Sequence, residues 1–148
     1  MNYVNGFKTY VDNQPVALVI KIMAILSVLG GLALIAAAFG LFSLGAVTGV
    51  LGATLGYGFL VGPFAVFWGL VSLVEGAAQL LFGYGAWFLK PWALKLGVYI
   101  QYANIGVAFI NWIGGSSGFF SFLLSAAISG LIIYYLQRPQ VKQYFGVK

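Results

Sequence analysis

Apolar residues run along this chain in two long blocks, and the charged residues fall at only a few places. Residues 22–89 carry one charge, Glu75, and residues 96–137 carry none. Lys8 and Lys21 lie before or at the opening of the first block, Lys90 and Lys95 stand between the blocks, and Arg138, Lys142 and Lys148 follow the second. A helix crosses the ~30 Å hydrocarbon core of a bilayer in about 20 apolar residues, so each block has room for two crossings. Lys and Arg gather on the cytoplasmic side of membrane spans. If all three basic groups share that side, each block crosses an even number of times. The pattern therefore predicts an all-α, polytopic membrane protein: four transmembrane helices in an antiparallel bundle with both termini cytoplasmic.

The prolines set the boundaries. Pro15, Pro63, Pro91 and Pro139 fall where spans should begin or end, positions at which a missing N–H costs nothing. The expected spans are about 16–40, 63–89, 96–113 and 118–137, within a single membrane domain covering 1–148 and ending in a cytoplasmic tail, 138–148. Gly-Gly-Ser-Ser at 114–117 makes a short outer turn. The outer segment 41–62 is too apolar for an ordinary loop, and reading it as a fifth span would put the tail outside. Gly45, Gly49, Gly52 and Gly56 share one helical face. A short glycine-faced helix, re-entrant or interfacial, is expected between spans 1 and 2, the alternative being a flexible hydrophobic loop. Trp87, Trp92, Tyr99, Tyr134 and Tyr135 fall at the proposed inner surface, and Phe64, Trp68, Trp112, Phe119 and Phe120 near the outer one, as interfacial aromatics do.

Span 2 carries the most regular seam. Gly62, Gly69, Gly76 and Gly83 are seven residues apart, with Ala65, Ser72, Gln79 and Ala86 three after each. Lipid tails are as apolar as leucine, so helices associate in a bilayer through close packing and polar bonds, and small side chains let backbones approach. The helix-packing seam is therefore Gly62, Gly69, Ser72, Gly76 and Gly83. Span 3 adds Gly97, Gln101, Asn104, Ala108 and Asn111, and span 4 adds Ser121, Ser125 and Ser129. Unmet amides are costly in lipid, so Gln101, Asn104 and Asn111 should turn inward with Glu75 and Gln79 to form an intramembrane polar cluster. That cluster either binds the bundle together or serves a ligand. With no cation within reach in its own chain, Glu75 is expected to stay neutral and hydrogen-bonded, Asn111 and Gln79 being the natural acceptors.

Composition narrows the chemistry. At 62% hydrophobic and 6% charged, the 148 residues cannot hide their apolar surface in a soluble core, and lipid must be part of the solvent. The net charge of +5 is scattered along membrane edges, where anionic headgroups attract it, which argues against a nucleic-acid partner. The chain has no cysteine and no histidine, so thiolate chemistry, the usual zinc sites and haem ligated by those residues are excluded. The first 14 residues do not read as a cleaved signal peptide. Tyr3, Phe7 and Tyr10 suit either an interfacial helix or a disordered start. One isolated acid among amides supplies no nucleophile–base pair, so an enzyme is not expected.

The run 83–97, GYGAWFLKPWALKLG, and the ending 134–145, YYLQRPQVKQYF, resemble a diffuse group of small prokaryotic four-helix integral membrane proteins of unknown function. The resemblance covers these two boundary segments. It implies the four-span topology and brings no catalytic residues with it.

Three functional classes fit. The first expectation is a non-catalytic accessory or scaffold subunit that packs against a larger membrane complex, respiratory or photosynthetic, in a prokaryotic inner membrane or a thylakoid-type membrane. Its partners would be the lipid bilayer and other integral membrane subunits, or further copies of itself. The second is a small oligomeric transporter or channel using Glu75 and the amides. The third is a pigment or lipid binder, and the sequence names no cofactor for it.

Overall fold

The computed structural model describes residues 15–55 and 58–147. The N-terminal segment with Tyr3, Phe7 and Tyr10 lies outside the described residues, as do Lys8, Gly56 and Lys148. The described residues form five helices and no strand: α1 Pro15–Leu55, α2 Gly58–Trp87, α3 Pro91–Ile113, α4 Phe119–Leu136 and the short α5 Pro139–Tyr144. The first four are long and apolar enough to cross a membrane, which is the architecture of a multi-pass membrane protein.

The boundaries differ from the expected spans chiefly at three places, one being the start of α3 at Pro91 where 96 is expected. α1 does not stop near residue 40. It runs unbroken for 41 residues, so the described part of the segment from 41 onward continues the first helix and does not form an element of its own. The physical reason is that glycine weakens a helix chiefly by exposing backbone to water and by entropy. In apolar surroundings an opened backbone bond finds no replacement, which favours the helix. α2 likewise begins at Gly58, placing Pro63 inside its second turn and not at its start. There the ring removes only the N–H that would bond the carbonyl of residue 59.

Sharp stops separate the later helices. At the end of α2, Lys90 N–H donates to Gly85 O at 2.8 Å and Leu89 N–H to Ala86 O at 3.2 Å. These are the paired 6→1 and 5→2 bonds of a Schellman motif. The residue that must adopt left-handed backbone there is Leu89, at φ 52°. Pro91 follows at once as the first residue of α3 and blocks any continuation. α3 ends the same way: Ser116 N–H donates to Asn111 O and Gly115 N–H to Trp112 O, with Gly115 at φ 73°. Here glycine takes the left-handed position without a Cβ penalty.

The chain divides into two compact units. One comprises residues 26–80, the later part of α1 and the earlier part of α2. Its helices meet backbone to backbone at Gly31–Gly76 and Gly45–Gly62, with Phe42 over Gly69 between them. Residue numbers thus rise along α1 as they fall along α2. Ala38 is fully buried in this unit.

The other unit comprises residues 1–25 and 81–148. The start of α1 buries Ala17, Ile20 and Ala24, one face of the helix. α3 buries Ala93, Gly97 and Ile100 along a similar stripe, together with Leu94. Ala93 lies against Gly85 of α2, and Phe82 and Leu136 both close on Gly97. α5 is docked by Val141 and Phe145, one turn apart and each only 1% exposed.

Candidate functional site

The seam residues of α2 share one side of the helix. Gly62, Gly69, Gly76 and Gly83 are all buried, while Ala65, Ser72 and Gln79 are half-buried. A methyl group added to Gly62 would sit 3.3 Å from the Gly45 carbonyl and 3.4 Å from Gly49 Cα. One added to Gly76 would sit 2.8 Å from the Gly31 carbonyl, and one added to Gly69 would strike the Phe42 ring at 2.6 Å. Backbones this close multiply dispersion contacts that leucine-to-lipid packing cannot supply.

Glu75 precedes Gly76 by one residue, which sets it at the flank of this seam. It is half-buried, and its side chain is hydrogen-bonded to that of Gln79, one turn along the helix. Gln79 in turn covers Gly30 of α1: a Cβ at residue 30 would lie 2.7 Å from Gln79 Oε1. The pair therefore joins a polar bond within α2 to a close approach by α1. Gly30 makes room for the amide, and the amide holds the carboxyl.

The polar residues of α3 divide in their roles. Gln101 and Asn104 are half-buried in the middle of the helix. Asn111 serves the end of α3. Its backbone carbonyl accepts from the Ser116 and Ser117 N–H groups at 3.0 and 3.1 Å and from Ser116 Oγ at 2.9 Å. Its side-chain Oδ1 accepts from the same Ser116 hydroxyl at 3.3 Å. On α4, Ser129 is buried, Ser125 half-buried and Ser121 exposed.

The polar pattern gave no sign of a second cluster at this turn. Trp112 stacks on Phe122 with ring centroids 5.4 Å apart and planes 12° apart, and Phe109 and Phe119 pack against both. Such pairs contribute roughly 0.5–1.5 kcal/mol each beyond area burial. They clamp α3 to α4 at the Gly-Gly-Ser-Ser turn. The signal for it is the spacing: Phe109 and Trp112 are three apart on one helix, and Phe119 and Phe122 three apart on the next.

Hydroxyls on the later part of α1 are satisfied within the helix. Ser43 Oγ donates to Phe39 O at 2.9 Å and Thr48 Oγ1 to Leu44 O at 2.7 Å. That stretch of α1 presents an apolar surface despite its two hydroxyls.

Comparison with protein-family models, with curated proteins and with solved structures finds no match.

Proposed function

We propose that the chain is a non-catalytic integral membrane accessory subunit that packs against a larger respiratory or photosynthetic membrane complex. In this reading its four long helices form an antiparallel bundle with both termini cytoplasmic, in a prokaryotic inner membrane or a thylakoid-type membrane.

The observation that carries the proposal is the length of α1. From Ile22 to Leu55 the helix has no charged residue. At 1.5 Å per residue this stretch is about 51 Å long, against a hydrocarbon core of ~30 Å. Fitting it inside the core would need a tilt of about 54°, beyond the 0–40° found for membrane helices. Held upright, about 20 Å of apolar helix would stand outside the hydrocarbon. Val47 and Val50 of α1 are exposed, Val50 at 70%, as are Phe64 and Phe67 of α2. Water contact over such a surface costs about 25 cal/mol per Å². A neighbouring membrane subunit removes that cost, and the open space before Gly40 lets its helix approach closely.

A common side for the basic groups is supported by the unit that holds most of them. Leu136, two residues before Arg138, packs on Gly97, two residues after Lys95. Trp92 lies against Gly85, next to the Lys90–Pro91 turn.

Extraction of the chain from its native membranes in mild detergent tests the proposal. Migration with other integral membrane subunits is expected. Recovery solely as a free monomer contradicts it, and recovery solely as a multimer of itself would replace the larger complex by self-association.

A further inference from the structure

The charged residues are distributed unevenly between the two units. Lys90, Lys95, Arg138 and Lys142 belong to the unit formed by residues 1–25 and 81–148, whose described residues include no aspartate or glutamate. Among its described residues, basic side chains stand at or near the ends of the apolar spans at Lys90, Lys95, Arg138 and Lys142. Arg138 is the N-cap of α5 and Lys142 lies within that helix, the Lys142 N–H donating to Arg138 O at 3.0 Å.

Both are held in place. The Arg138 guanidinium lies over the Tyr134 ring, 5.1 Å from its centroid, at the level of the last turn of α4. Lys142 sits on α5, which is pinned by fully buried Val141 and Phe145 on either side of it in sequence. Val147 N–H donates to Lys142 O and closes the end of that helix. Two cations carried four residues apart on a fixed backbone can converge on one anion. Their depth identifies the anion. Arg138 lies two residues past the apolar span that ends at Leu136, and Lys90 stands just before the span that begins at Pro91. Lipid phosphates occupy this layer.

We infer that Arg138 and Lys142 hold the phosphate of an anionic phospholipid, with Lys90 and Lys95 as flanking charges that draw the headgroup in. The guanidinium fork matches a phosphodiester, and the lysine supplies a second point charge. A zwitterionic lipid carries its own cation beside the phosphate and gains much less. The inference requires a membrane-embedded chain and does not depend on the accessory role proposed above.

The test is thermal unfolding of the full chain in a non-ionic detergent, followed by helix content and titrated with short-chain phosphatidylglycerol, phosphatidylcholine or inorganic phosphate. Phosphatidylglycerol is expected to raise the unfolding midpoint at least twice as far as phosphatidylcholine. The excess should vanish in the double variant Arg138→Gln, Lys142→Gln, and shrink in the unaltered chain as salt rises, because exposed charges are screened. Equal shifts from the two lipids would overturn the inference. So would a preference that survives in the double variant, or an equal shift from inorganic phosphate, which would mark a site for any free anion. If the double variant does not fold, the salt series on the unaltered chain decides, and a preference insensitive to salt overturns the inference.

Discussion

Gly31 and Gly76 lie against each other reciprocally: a methyl group on either would sit 2.8 Å from the other's carbonyl oxygen. No side chain separates the two helices at this point, so neither position has room to adjust. Gly76→Leu is expected to destabilise the protein by about 1–3 kcal/mol, the usual range for overpacking. Equilibrium unfolding in mixed micelles reads this directly. Unchanged stability would mean that α1 and α2 do not meet there.

Gly106 and Gly130 are helical glycines with open space before them. Alanine at either is expected to stabilise by roughly 0.5–1 kcal/mol through reduced backbone freedom. Gly115→Ala should do the opposite and cost about 1–2 kcal/mol, since its φ of 73° crowds a Cβ. The sign difference among three chemically identical substitutions is the measurement of interest.

Glu75→Gln leaves a side chain able to bond Gln79 and should shift stability by less than about 1 kcal/mol, the scale of one net hydrogen bond. Assembly with partners should persist as well. Folded protein that has lost its partner complex would show that the ionised carboxylate is recognised by another molecule.

The chain has no native cysteine, so single-cysteine variants report sidedness cleanly. Gln143→Cys is expected to react with an impermeant thiol reagent only from the cytoplasmic side, and Ser116→Cys only from the opposite side. Labelling of both from one side would break the even-crossing topology.

How much of this was legible in the sequence depends on the range of the interaction. The seven-residue spacing of Gly62, Gly69 and Gly76 could be read because side-chain absence repeats with the helix, and each of the three lies against α1. Glu75 and Gln79 could be paired because four residues is one turn. The length of α1 was not legible. Gly45, Gly49 and Gly52 share one helical face, a pattern that suits a separate short helix as well as a continuation of the first; the helix continues to Leu55 and Gly45 packs against Gly62. Asn111 was assigned to the polar stripe by its side chain, whereas its shortest bonds at the turn use its backbone carbonyl, which periodicity cannot see. The docking of α5 rests on one i, i+4 pair, Val141 and Phe145, too short a pattern to stand out.

The central claim is that the long apolar surface of α1 is covered by another membrane subunit. Val50, exposed by 70%, is the position that reports on it most directly. A photo-crosslinking amino acid placed there and irradiated in native membranes is expected to give a defined adduct with a second integral membrane protein. Adducts with lipid alone would contradict the account.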